Sequence, residues 1–178
     1  MISVSPWLVG AVAVLLSGCA SPHELARKRE QRADAAQALF EQTVDRYHLP
    51  GVTAKGAERD QLLARAAADY SRLLRVYPDQ RSLCAQALRG IATVRAEQGH
   101  LDDAVRIYYQ VGQHYAELGW EVLQAWNSAG DLLWKTGRQT EAHAFYALIV
   151  QRFDHPSFPA TFQTIVRHAN SRLAPTEP

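Results

Sequence analysis

Residues 126–149 read WNSAGDLLWKTGRQTEAHAFYALI. Trp126, Gly130 and Leu133 recur at helical spacing on one side of Gly137, and Ala142, Tyr146 and Ile149 do so on the other. Gly137 stands just past the first run, where a helix end calls for a left-handed residue. The small Ala142 lets a partner helix approach closely. Tyr146, four residues on, is placed to wedge between neighbours, and Ile149 follows on the same face. The stretch therefore predicts a helix hairpin.

The pattern returns at a stride of 38 residues. Ala66, Ala104 and Ala142 coincide, as do Tyr70, Tyr108 and Tyr146, and Leu73, Val111 and Ile149. Gly99 falls on Gly137, Ala92 on Gly130, Ile91 on Ala129 and Leu88 on Trp126. A hairpin of this kind exposes an apolar face alone and must stack on the next. The expected fold is all-α, an α–α superhelix of about seven helices. Their spans are roughly Pro22–Tyr47, Glu58–Tyr77, Ser82–Gln98, Leu101–Glu117, Trp120–Lys135, Gln139–Phe153 and Pro159–Leu173. The segment His48–Gly56, HLPGVTAKG, carries one proline and two glycines and reads as a loop. It would leave the first hairpin without its first helix, with the long N-terminal helix as a cap. The C-terminal APTEP is expected to fray.

These residues resemble the tetratricopeptide repeat family. Trp126, Gly130, Leu133, Gly137, Ala142, Tyr146 and Ile149 match its pattern closely, and Leu88, Ala92, Gly99, Ala104, Tyr108 and Val111 match it well. Arg95 and Ala116 depart from it, and Ala66, Tyr70, Leu73 and Pro78 match a second half only. The resemblance covers roughly residues 58–156, with residues 19–57 as a tether, long helix and loop, and residues 157–178 as a capping helix and tail. It implies stacked hairpins that bind proteins or peptides, and it places Gln86, Arg89, Thr93, Asn127, Asp131 and Trp134 on an inner, partner-binding groove. Amides there would pair with a peptide backbone and Trp134 would anchor a side chain.

At the other end, Trp7–Leu16 reads WLVGAVAVLL, ten apolar residues, which suits a signal-peptide core and is too short to span a bilayer. No Lys or Arg precedes it. It runs into Leu16-Ser17-Gly18-Cys19, which resembles the lipobox of bacterial lipoproteins. That resemblance implies a signal peptide over residues 1–18, acylation of Cys19 and a membrane-anchored envelope protein. With Ala20 next, sorting to an outer membrane facing the periplasm is implied where the host has two membranes. Together with YSRLLRVYPD and AHAFYALIVQRFDHP, the lipobox is similar to the periplasmic repeat lipoproteins of outer-membrane assembly and envelope coordination.

The composition is globular: 178 residues, 47% hydrophobic and 21% charged. Nineteen Lys and Arg against 18 Asp and Glu give a net charge of +1, which argues against nucleic-acid binding through bulk charge. Two cysteines do not make a disulfide scaffold, and Cys84, within SLCAQAL, is expected to be buried and inert. The sequence has no GxSxG, phosphate loop, HExxH or CxxC, and its seven histidines form no metal-ligand spacing. No catalytic residue, cofactor or metal is implied. Asp102 and Asp103 suit a helix start, and Arg27, Lys28, Arg29 and Arg32 suit either solvent or anionic lipid. The leading expectation is a lipid-anchored adaptor for an envelope protein or peptide. The alternatives are a subunit stacked on another chain through an apolar end and, more remotely, a cell-wall enzyme.

Overall fold

A computed structural model describes residues 21–174. The segment read as a signal peptide and Cys19 lie outside them, as does the PTEP tail. The chain runs as α1 (Pro22–Thr43), a π-turn (Val44–His48), α2 (Leu49–Thr53), α3 (Gly56–Val76), α4 (Arg81–Glu97), α5 (Leu101–His114), α6 (Gly119–Lys135), α7 (Gln139–Phe153) and α8 (Ala160–Leu173). Among the described residues there is no strand. Each helix from α3 onward packs antiparallel on the next, and α6 also touches α4, as α8 touches α6. The result is an all-α stack of hairpins.

The equivalences at stride 38 hold in space. Ala66, Ala104 and Ala142 are fully buried, as are Leu73, Val111 and Ile149. Gly99 and Gly137 adopt φ of 82° and 79°. In both turns the glycine N–H bonds the carbonyl three residues back, and the next N–H bonds the carbonyl five back: His100 to Arg95, and Arg138 to Leu133. That pairing closes a helix C-terminus with a left-handed residue that glycine adopts without strain.

Close approach sets the crossings. A Cβ on Gly90 would lie 2.5 Å from the Tyr70 ring, one on Gly112 would lie 2.5 Å from the Trp126 indole, and one on Gly130 would lie 2.7 Å from the Tyr146 ring. Tyr70 and Tyr146 are no more than 1% exposed. Each aromatic ring thus lies directly on the backbone of the opposing helix, and burying such a side chain contributes about 1.5–3 kcal/mol.

The segment expected to be a loop is helical as far as Thr53. Pro50 stands in the first turn of α2, where its missing N–H is not needed. The turn before it widens, and Leu49 N–H bonds the carbonyl of Val44, five residues back, which relieves the clash a proline ring makes with the preceding turn. Gly51 is buried because a Cβ there would meet Leu63 at 3.0 Å.

The first hairpin is consequently complete, and residues 32–53 belong to the stack. Ala36 and Thr43 are fully buried, and Leu39, Phe40, Val44 and Tyr47 pack on the cluster formed by Leu63, Tyr70 and Leu73. Arg32 marks the equivalence. It bonds the Val76 carbonyl, pairs with Asp79 at 3.0 Å and lies 5.1 Å over the Tyr77 ring. Arg81 bonds the His114 carbonyl, pairs with Glu117 at 2.5 Å and lies 4.8 Å over the Tyr115 ring. The targets are 38 residues apart, while the arginines are 49 apart. The surplus is the longer connection through α2 and the first turns of α3. Arg32 is thereby tied to the fold, apart from Arg27, Lys28 and Arg29.

The two ends of the stack differ. At the first end, Ala35, Ala38 and Gln42 of α1, Asp45 of the π-turn, and Leu49 and Val52 of α2 are exposed, the last two at 58% and 41%. On α8, Val166 and Ala169 are buried against the core while Thr161, Thr164, Arg167, Asn170 and Ser171 face solvent. Large apolar side chains are thus exposed at the α1 and α2 end, while the outer face of α8 is polar.

Since the Tyr146 ring cannot move aside, Gly130→Ala is expected to destabilise the fold by about 1–3 kcal/mol. Urea unfolding followed by circular dichroism measures this, with exposed Gln151→Ala as the neutral comparison.

Candidate functional site

The first helices of successive hairpins, α4 and α6, line one side of the stack, with α8 beside α6. Spacings of three and four residues along α4 and α6 put the six groove residues read from the sequence on this inner face. The structure engages most of them internally. Arg89 pairs with Glu121 at 2.5 Å and so links α4 to α6. Glu121 is 7% exposed, so this pair is partly desolvated. Thr93 Oγ1 lies 2.9 Å from the Tyr108 hydroxyl. Asn127 Nδ2 donates to Asp131 Oδ2 at 3.0 Å. Gln86 makes only a long contact, 3.4 Å, with Ser82.

Asp131 is the hub of the α6 side. Its Oδ1 accepts from the Tyr146 hydroxyl at 2.8 Å and lies 2.9 Å from His168 Nε2. It therefore fastens α7 and α8 to α6. Burial, then the neighbouring carboxylate, pushes the Tyr146 phenol above its ordinary range. Trp134 is held between His143, with ring centres 5.8 Å apart, and the Arg172 guanidinium, 4.5 Å over its ring. The half-buried indole thus packs with α7 and α8 as well as standing on the face read from the sequence.

The same tyrosine position repeats with a variation. Thr93 and Tyr108 are 15 residues apart, as are Asp131 and Tyr146. Tyr70 instead meets His48 Nδ1 at 2.8 Å, from the π-turn. Burial lowers the His48 pKa, and Glu97 opposes the effect, so the ring is held toward its neutral form. The two inner tyrosines are thus equivalent, and Tyr70 has the same burial with a different partner.

A concavity of about 240 Å³ opens between α4, α5 and α6. Thr93, Ala96 and Glu97 form one wall, and Ser128, Asp131, Leu132 and Lys135 the other, with Tyr108 also lining it. Glu97 is held from outside by Arg59, at 2.9 Å. Lys135 is exposed. Of the six residues named from the sequence, the structure brings Thr93 and Asp131 into this concavity. Gln86, Arg89, Asn127 and Trp134 do not line it. Glu97 and Lys135 were missed, although each lies four residues beyond a named position and on the same helix face.

Cys84 is 1% exposed and free, and its thiol donates to the Tyr77 carbonyl at 3.2 Å. Burial raises its pKa, so the reactive thiolate is disfavoured. Among the described residues no group of three or more His, Cys, Asp or Glu side chains could hold a metal ion. No described helix is long and apolar enough to cross a membrane. No family model matches the chain, and no curated protein matches it.

Removing the acceptor from Asp131 leaves the buried Tyr146 hydroxyl without its carboxylate partner. Asp131→Ala is expected to cost about 1–3 kcal/mol and to speed amide exchange in α8. Asp131→Asn, which keeps an acceptor oxygen, is expected to cost less. Urea unfolding and hydrogen exchange measure both.

Proposed function

We propose that this chain is a lipid-anchored, non-catalytic adaptor of a bacterial cell envelope. In this reading it is a tetratricopeptide-like stack that takes a protein or peptide partner on its inner face. The observation that carries the reading is the concavity between α4, α5 and α6. It presents the hydroxyls of Thr93 and Ser128, the carboxylates of Glu97 and Asp131, and the Lys135 ammonium around one opening. Polar groups that converge at a concave surface suit the backbone amides and charged side chains of a bound segment.

The anchor belongs to the same reading. It rests on the apolar run Trp7–Leu16 and on Leu16-Ser17-Gly18-Cys19. Acyl chains on Cys19 would hold the stack at a membrane, the outer one facing the periplasm where the host has two. The polar outer face of α8 favours binding along the side of the stack over stacking at that end.

A photo-crosslinking side chain at Lys135 in the intact chain, expressed in its bacterial envelope, tests the groove directly. The expected result is a discrete adduct from position 135 and none from exposed Gln113 on α5. Adducts of equal yield from both positions, or from neither, would exclude this face as the partner site.

A further inference from the structure

The first ten residues of α1, Pro22–Gln31, extend past the stack. Arg32 occupies in the first hairpin the place that Arg81, the first residue of α4, occupies in the second. Everything in α1 before Arg32 therefore projects beyond the edge formed by the turns at Tyr77–Gln80, Tyr115–Leu118 and Asp154–Pro159. At a rise of about 1.5 Å per residue the overhang is about 15 Å long.

All ten residues are exposed. Leu25, 47% exposed, is the one large apolar side chain among them. The rest is polar or small on every side, so the overhang has neither a stripe for a protein groove nor the apolar face that lays a helix flat in a lipid interface. Arg27, Lys28 and Arg29 are offset by Glu24 and Glu30, which leaves little net attraction to anionic head groups. A helix that is polar all round either bridges solvent or is unstable by itself; this one runs on without a break into the packed part of α1. Its start is fixed. Ser21 Oγ accepts from Glu24 N–H at 3.2 Å, while Glu24 Oε2 accepts from Ser21 N–H at 3.0 Å. This capping box begins the helix two residues after Cys19.

We propose that Pro22–Gln31 is a rigid spacer that stands the hairpin stack about 15 Å off the bilayer, with the edge formed by those turns facing the lipid. The proposal rests on the anchor at Cys19. The spacer leaves the inner face upright and open to a partner in the compartment beside the membrane.

Neutron reflectometry of the acylated full chain in a supported bilayer tests it. Intact mass first establishes the acyl chains on Cys19. The native protein is expected to show a solvent-rich gap of about 15 Å between the head groups and the protein layer. Deleting Leu25–Gln31 removes seven residues, or about two turns, and is expected to narrow the gap to about 5 Å. Unchanged urea unfolding of the deletion variant would show that the stack itself is intact. An acylated chain whose protein layer meets the head groups, or whose gap is unaltered by the deletion, overturns the spacer alone. A chain without acyl mass overturns the anchor, and the spacer with it.

Discussion

An aromatic ring laid against a helix backbone that has no Cβ is the contact on which this structure depends. It occurs at three crossings, α3 on α4, α5 on α6 and α6 on α7: Tyr70 on Gly90, Trp126 on Gly112 and Tyr146 on Gly130. Each pair brings two helices closer than ordinary side chains allow. Each also converts a large apolar area into helix–helix attachment, in an interior too tightly packed to forgive a methyl group. The 38-residue stride is carried beside these contacts by the equivalent buried positions Ala66, Ala104 and Ala142, and Leu73, Val111 and Ile149.

The polar part of the molecule is organised around the same rings. The tyrosine hydroxyls emerge at the inner side of the stack and take partners there: His48 for Tyr70, Thr93 for Tyr108 and Asp131 for Tyr146. Core packing thereby dictates where polar groups collect between the first helices of neighbouring hairpins. The proposed partner surface is built from what those hydroxyls and their carboxylate neighbours leave facing solvent. On the opposite edge, Arg32 and Arg81 close helix ends by bonding bare carbonyls and lying over an aromatic ring. Exposed ion pairs of this kind contribute little stability, and their use here is to fix where one hairpin sits on its neighbour.

Much of this was legible in the residues. The buried alanines, the left-handed Gly99 and Gly137 and the buried Cys84 all follow from local pattern and a repeated stride. The stretch around Pro50 and Gly51 was not legible, because both residues break helices in isolation. Here Pro50 falls in a first turn, and Gly51 meets Leu63 from another helix. Only tertiary context distinguishes such a site from a loop. The equivalence of α1 to α4 was hidden for a related reason: the longer connection shifts it from a stride of 38 to one of 49. The inner face was legible as a set of positions but not as a set of free groups. Arg89, Asp131 and Trp134 find their partners in Glu121, His168 and Arg172, which lie 32 to 38 residues away.

What unites these features is that α1 from Ala36 onward is the first helix of the first hairpin, held by the same contacts that hold α4. Native-state amide hydrogen exchange tests this most directly. Amides from Ala36 to Thr43 are expected to exchange with the protection of those in α3 and α4, and amides of His23–Gln31 to exchange far faster. Protection that begins only at α3, with residues 36–43 exchanging like the overhang, would contradict the account.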